Sequence, residues 1–517
     1  MFITHSLRVR NSWSSFAVVK LGIKIALIFF ALGLFSCRQT IDFKGTDIPL
    51  SFSQDTIYLD TVFTGLGSST RTLKVYNTSN ENMVVDRVYL ARGEQSYYRM
   101  NVDGVSGKSV NNLEILAGDS AYLFIEISAD AQGADELIYT DSIWFENGNQ
   151  RQHVDLVTAV WDAYYHFPTN VLTITQPEPY PDIKIPYSIL PCNAQWSNDK
   201  PHIIYGYAVV DSACSLSINP GTQIHVHKGG GLWVYRDGQL SVDAGAIQGA
   251  NNMSNPVVFQ GDRLEPSYEW VPGQWGGVLG GIFLMRSNQE HLIQNTIIKN
   301  ATTGIRLDSA AVLKANNTII THSSRVNLYG GYGNAALNNC ISGPAGVYGL
   351  YALGGQYTAK NSTFLNTWSY STRGGTAVGL SNYFEDGTGT RYTRDLQALF
   401  FESIIDGSLD NEVGMAIDPG AAFDVRFGKS ALRIEPNPEG GHYDLGDTTM
   451  FFGNDLQFNG LWTYVPGPLL TNAGYSYLPD SSSTLINAVV RDPQGAAHDI
   501  HGTTRGNTIT LGAAEPQ

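Results

Sequence analysis

Four asparagines set the frame in which this chain folds. Asn295, Asn317, Asn339 and Asn361 stand 22 residues apart, and each opens a similar step: NTII, NTII, NCIS and NSTF. Two residues before each comes an apolar or small side chain, Ile293, Ala315, Leu337 or Ala359. A second stretch recurs on nearly the same period as GIRLD, RVNLY and VYGLY. Self-similarity of this kind marks units that stack because none buries its apolar face alone. The units alternate Ile, Val, Leu and Ala with polar residues and lack a 3.6-residue period, so they are strands. A right-handed parallel β-helix is predicted, with coils about 4.8 Å apart. At its corners the backbone bends, and asparagine tolerates left-handed geometry while its amide bonds nearby main chain. Stacked amides pair as a ladder, which makes a structural role for the four stronger than a catalytic one. The LxxLxLxxN spacing of leucine-rich repeats is missing.

The rest of the chain is organised around that solenoid. Residues 48–166 carry short alternating stretches such as TRTLKVYNTS and SAYLFIEISA, with turns at VDGVSG, LAGD and ENGN. This spacing predicts an immunoglobulin-like β-sandwich, without the Cys…Trp…Cys pattern of true immunoglobulin domains. The Asn-Gly step in ENGNQ is a hairpin signal. Residues 167–204 hold Pro168, Pro177, Pro179, Pro181, Pro186 and Pro191 and read as a linker or cap. The solenoid is placed at 205–517, its early coils interrupted by FQGDRLEPSYEWVPGQWGGV. The fold class is therefore all-β, a sandwich followed by a β-helix.

At the N-terminus the apolar run Ile25–Phe35 follows Arg8, Arg10, Lys20 and Lys24. It falls short of the roughly 20 apolar residues that span a bilayer and reads as a secretory signal, residues 1–36. Leu34-Phe35-Ser36-Cys37 resembles the bacterial lipobox, which makes Cys37 the lipidated first residue of a tether over 37–47; an ordinary cleaved signal is the alternative. Two or more acyl chains suffice for stable attachment. Arg38 follows the cysteine where an inner-membrane retention signal has Asp, so the outer membrane is expected, facing either periplasm or exterior. A net charge of −15 argues against a nucleic-acid partner. Cys192, Cys214 and Cys340 fit no zinc spacing; one disulfide, Cys192–Cys214, or separate buried thiols are both compatible with the sequence.

The C-terminal stretch LINAVVRDPQGAAHDIHGTTRGNTITLGAAE resembles the closing motif of the choice-of-anchor Q family of secreted bacterial β-helix proteins. The matching residues are Ile486-Asn487-Ala488, then Asp499, Gly502 and Arg505, then Leu511-Gly512-Ala513 and Glu515, with Thr510 and Ala514 departing from the pattern. The segments KPHIIYGYAVVDS, NPVVFQGDRLEP and PGQWGGV are also similar to lipid-anchored members. The resemblance covers about residues 190–517 and implies fold and export, with no established activity.

Enzymes on β-helices, such as pectate lyases and polygalacturonases, use a calcium-binding carboxylate cluster with a basic proton acceptor, or paired aspartates. In the regular coils only Arg306 and Asp308 stand out, the matching positions being Asn327, Tyr329, Gly349 and Tyr351. A lone Arg–Asp pair is expected to be a surface ion pair. His225 and His227 share one side of a strand and read as a solvated face; no metal site and no cofactor are expected. Tyr329, Tyr332, Tyr348 and Tyr351 form either a stacking platform for sugar rings or an ordinary apolar stack, and Trp270 and Trp275 either join it or plug a gap. The expectation is a noncatalytic surface lipoprotein whose partner is a polysaccharide or a surface protein. The alternative is a polysaccharide lyase or glycoside hydrolase acting along the same face.

Overall fold

The computed structural model describes residues 42–43, 47–128, 138–243, 253–435, 443–453, 457–458, 462, 464, 477–493 and 495–515. Cys37 and the signal-like segment lie outside these residues, and no described helix is long and apolar enough to cross a membrane. Two compact units emerge, one from the described parts of Met1–Leu59, Ser69–Ile127 and Thr140–Val157, the other from Asp60–Ser68, Ser128–Tyr139 and Thr158–Gln517.

The first unit holds most of two five-stranded sheets. Arg71–Tyr76 and Tyr98–Val102 both pair antiparallel with Ser120–Ile127, and Ser109–Ile115 and Ile138–Asn147 both pair antiparallel with Met83–Leu90. Burial alternates residue by residue, as in Ser120–Ile127, because successive side chains leave a strand on opposite faces. Phe52 of one sheet meets Phe145 of the other, with ring centroids 4.9 Å apart. The Asn147-Gly148 step turns the hairpin between Ile138–Asn147 and Gln150–Trp161, and Gly148 supplies its positive φ of 59°.

The second unit is built from parallel strands, in a 19-stranded and a 10-stranded sheet. The larger sheet is two columns that share a corner. In His291–Lys299, residues 291–294 and 296–299 pair with the next coil while Asn295 between them does not. This architecture is compatible with a parallel β-helix. Coiling starts ahead of Tyr205. Tyr164–His166, Ile183–Ile189 and Ala194–Trp196 already pair parallel with later strands, so the proline-rich segment carries strands of the first coils as well as the hairpin Asn170–Ile174/Ile183–Ile189. A disulfide joins Cys192 to Cys214, 22 residues on, which settles the alternative left open by the sequence. Cys340 is a buried free thiol whose pKa burial pushes up to about 12.

Inside the coil, register stacks apolar groups on apolar groups. One row runs Val242, Ile293, Ala315, Leu337, Ala359, Phe400, Phe427, Phe451, all buried. Small and large members alternate until the last three, whose rings stack at 5.3 and 5.5 Å.

The four corner asparagines are left-handed, with φ of 45°, 48°, 56° and 47°, and buried. Asn317 Nδ2 donates to Asn295 Oδ1 at 3.0 Å, and Asn339 Nδ2 to Asn317 Oδ1 at 2.7 Å. The column continues past the repeat: Asn295 donates to Asp243 and Asn361 to Glu402, and Asp243, Glu402 and Lys429 are left-handed too. Beside it a second amide row links Asn338 to Asn316 and Asn316 to Gln294. A hydroxyl row takes backbone N–H bonds, Cys340 to Ser362, Ser362 to Ser403 and Ser403 to Ser430, at 3.2 Å each. Asn317→Leu removes the donor to Asn295 and the acceptor for Asn339, and puts a branched residue at positive φ. It is expected to destabilise the protein by about 3 kcal/mol in denaturant titration, whereas Asn317→Gly should cost less because the turn is retained.

The solenoid expected to run to 517 is corrected at its end: among the described residues of the C-terminal segment, 477–493 and 495–515, the strands Val489–Val490 and Thr508–Ile509 pair antiparallel with each other and join neither stacked sheet. Leu485, Val489, Ile500, Ile509, Leu511 and Ala513 cluster with Ile319, Ile341, Leu365, Ile404 and Ala431, an apolar stripe outside the main core. The motif residues fasten it. Buried Arg505 donates to Glu515 at 2.7 Å, to the carbonyls of Thr510 and Gly512, and to Asn339 Oδ1 at 3.2 Å. Asp499 accepts the N–H groups of His501, Thr503 and Glu515, and Gly502 turns at φ 88°. Asn361 Oδ1 and the Glu402 carboxylate accept N–H groups from Ala496 and Asp492.

Candidate groove on the ten-stranded sheet

Outward side chains of the 10-stranded sheet line up coil by coil. One row runs Trp233, Phe283, Arg306, Tyr329, Tyr351, Gly379, Gly414. A neighbouring row places Thr303, Val326 and Tyr348 in register. These rows flank a groove of about 860 Å³, walled on another side by the glycine-rich turn Gly276–Gly280 and by Lys228, Arg325 and Trp275. Tyr351 is its aromatic centre. Its ring stacks on Tyr329 at 5.8 Å and meets Tyr348 at 4.8 Å with the planes tilted by 32°, and all three are half-buried. Burial raises the pKa of Tyr348 and Tyr351, so both hydroxyls stay protonated at neutral pH. The tyrosines need glycine beside them: a Cβ on Gly379 would stand 2.7 Å from the Tyr348 ring and 2.9 Å from that of Tyr351.

The glycine turn is held by Tyr207, whose hydroxyl donates to Gly280 O at 2.9 Å and accepts from Leu279 N at 3.1 Å. Burial pushes that phenol up to about 12. Gly277 packs too tightly for any side chain, since a Cβ would lie 2.3 Å from Gly229 O. A second concavity of about 570 Å³ adjoins the groove, sharing Lys228, Gly229, Gly277 and Val278 with it. Among the described residues no aspartate or glutamate lines either one. Among the described residues no group of three or more His, Cys, Asp or Glu side chains is arranged to hold a metal.

Arg306 and the three tyrosines come together here, with Trp275 in the wall; the other candidates do not. No ion pair joins Arg306 to Asp308 among the described residues, because the guanidinium lies over the Phe283 ring, 4.9 Å from its centroid, and faces the groove while Asp308 does not line it. The pair expected at the surface is therefore corrected. Trp270 is buried in the apolar cluster beneath the C-terminal segment. Trp275 is 1% exposed and donates its indole N–H to Lys299 O at 2.8 Å, so it fills the wall and offers no open face. Tyr332 lies under Arg394, away from the groove. The solvated face expected of the two histidines holds only for His227, which pairs with Asp262 at 2.6 Å. His225 is buried against Phe63 and bonds Gly261 O, because the wall on that side is covered. Lys228, Arg325 and the glycine turn escaped sequence reasoning. The doubled glycines of QWGGVLGG were the signal for the turn; Arg325 opens the repeat RVNLY without an equivalent base in VYGLY, and Lys228 lies outside the repeats.

No protein-family model and no curated protein matches the chain. Among solved structures, pectate lyase Pel9A aligns at 11% identity over 62% of this chain and 89% of its own, with a TM-score of 0.27. A family 123 glycoside hydrolase from Clostridium perfringens aligns at 12% identity with a TM-score of 0.17 over 23% of this chain, which spans under a third (31%) of that structure. The periplasmic chaperone SfaE aligns at 11% identity over 27% of this chain and 82% of its own, with a TM-score of 0.16. Similarity this low leaves function to the groove itself.

Proposed function

We propose that this chain is a noncatalytic surface lipoprotein, anchored through Cys37 in the outer membrane, that holds a glycan in the groove of a right-handed parallel β-helix. An immunoglobulin-like sandwich precedes the helix in this reading, and the closing motif marks it as of choice-of-anchor Q type. One observation carries the function: Tyr329, Tyr348 and Tyr351 share the floor of an open groove whose lining, among the described residues, contains no carboxylate. Aromatic faces pair with the C–H faces of sugar rings, and a few convergent polar groups fix orientation. Cleavage by paired acids would need two carboxylates about 5–10 Å apart, and the described lining supplies neither.

Glycan-array binding run beside degradation assays on acidic and neutral polysaccharides tests the proposal. Tyr351→Ala is expected to weaken glycan binding at least tenfold, about 1.4 kcal/mol, while the melting temperature stays within a few degrees. Turnover of any polysaccharide, or unchanged binding by Tyr351→Ala, would count against it.

A further inference from the structure

We propose that the groove selects a linear polysaccharide bearing carboxylate or sulfate groups, an inference that rests on the glycan reading above. The chain carries 47 acidic and 32 basic residues. Against that background the groove's ionisable lining among the described residues, tyrosines aside, is Lys228, Arg306 and Arg325, without one acid. Among the described residues none of the three forms an ion pair; arginines 236, 286, 394 and 491 also form none, while 263, 373, 391, 426, 433 and 505 do, so the groove stands out by gathering unpaired bases in one lining. Arginines kept free of carboxylates in an acidic protein are available to an anion from outside, and guanidinium matches carboxylate and sulfonate oxygens with paired N–H donors.

Placement adds to composition. Arg306 is in register with Tyr329 on the next coil and Tyr351 on the one after, at a rung spacing of about 4.8 Å. A sugar ring lying on the tyrosines therefore has a guanidinium one rung away along the same row. The adjoining concavity adds Lys184 and again no acid; the nearby Asp262 is turned to His227 at 2.6 Å. The bases thus follow the coil axis across two connected hollows, which suits a chain of charged sugars over a single one.

The test titrates the lipid-free chain with oligogalacturonate, dextran sulfate and neutral dextran at low and high salt. Arg306→Gln, Arg325→Gln and Lys228→Gln are measured alongside, with thermal melts to confirm folding. The expected result is at least tenfold tighter binding of a charged probe than of dextran, lost at high salt. Each substitution should weaken the charged probe several-fold and dextran less than twofold. Preference for oligogalacturonate identifies carboxylate as the anion recognised, and preference for dextran sulfate identifies sulfate. Equal binding of charged and neutral probes, or equal losses on both in the variants, overturns charge selection and leaves the glycan reading standing. Binding of no probe overturns both.

Discussion

Arg505→Ala is expected to cost about 3–5 kcal/mol and to free the C-terminal segment for proteolysis before the coils unfold. The guanidinium is buried, and its donors are divided among Glu515, two backbone carbonyls and the corner amide of Asn339. Desolvation disfavours its charge, and the Glu515 carboxylate opposes that effect. Removing the arginine strands a mostly buried carboxylate and takes donors from Thr510 O and Gly512 O, on the stretch that covers Ile341, Leu365 and Ile404. Arg505→Lys keeps the charge and loses the fork, so it should recover only part of the stability. Denaturant titration with limited proteolysis measures both effects. A loss under 1 kcal/mol would mean that the apolar cluster alone holds the segment.

Stability should also fall by about 5 kcal/mol between pH 6.5 and 4.5, before most carboxylates titrate. Burial holds His166, His202, His225 and His322 at about 4, against an ordinary value of 6.5. A base whose folded pKa is depressed stays neutral in the native state while the unfolded chain takes up protons below 6.5. The unfolded state therefore gains with each step of acidification until the folded pKa is reached. His166 and His202 share a hydrogen bond at 3.1 Å, so they contribute less than two independent groups would. Thermal melts across this range, with proton uptake on unfolding measured directly, check the sign. A flat profile from pH 6.5 to 4.5 would contradict it. A His225→Gln variant should show a shallower slope.

The corner asparagines were legible because a backbone requirement repeats at a constant step. The same corners at Asp243, Glu402 and Lys429 were not, since 52, 41 and 27 residues separate them from their neighbours and the residue type changes. Left-handed geometry there is enforced by the stacked coils instead of by local preference. The first coils were hidden for a related reason. Prolines 168, 186 and 191 read as breaks, yet Pro186 sits on the strand Ile183–Ile189, which pairs antiparallel on one side and parallel on the other. The tyrosines of the groove were visible as outward residues on one period. Which way Arg306 turns was not, because an outward period places the side chain on the face without saying that its guanidinium covers Phe283, the ring 23 residues earlier. His225 and the two tryptophans share that lesson: alternation tells which way a side chain leaves the strand, and only the covering loops decide whether water meets it there.

Stacking itself can be measured with paired cysteines. Lys314 and Ala336 are in register on neighbouring coils, and Thr358 lies one coil further along the same row. Cys340 is buried and Cys192 is bonded to Cys214, so introduced thiols report alone in a chain starting after Cys37. A short thiol crosslinker should join a cysteine at 314 to one at 336 rapidly and leave the 314/358 pair unjoined, since the second pair is separated by two rungs of about 4.8 Å. If 314 and 358 crosslink as fast as 314 and 336, or neither pair reacts in the folded chain, asparagines 22 residues apart do not mark successive coils.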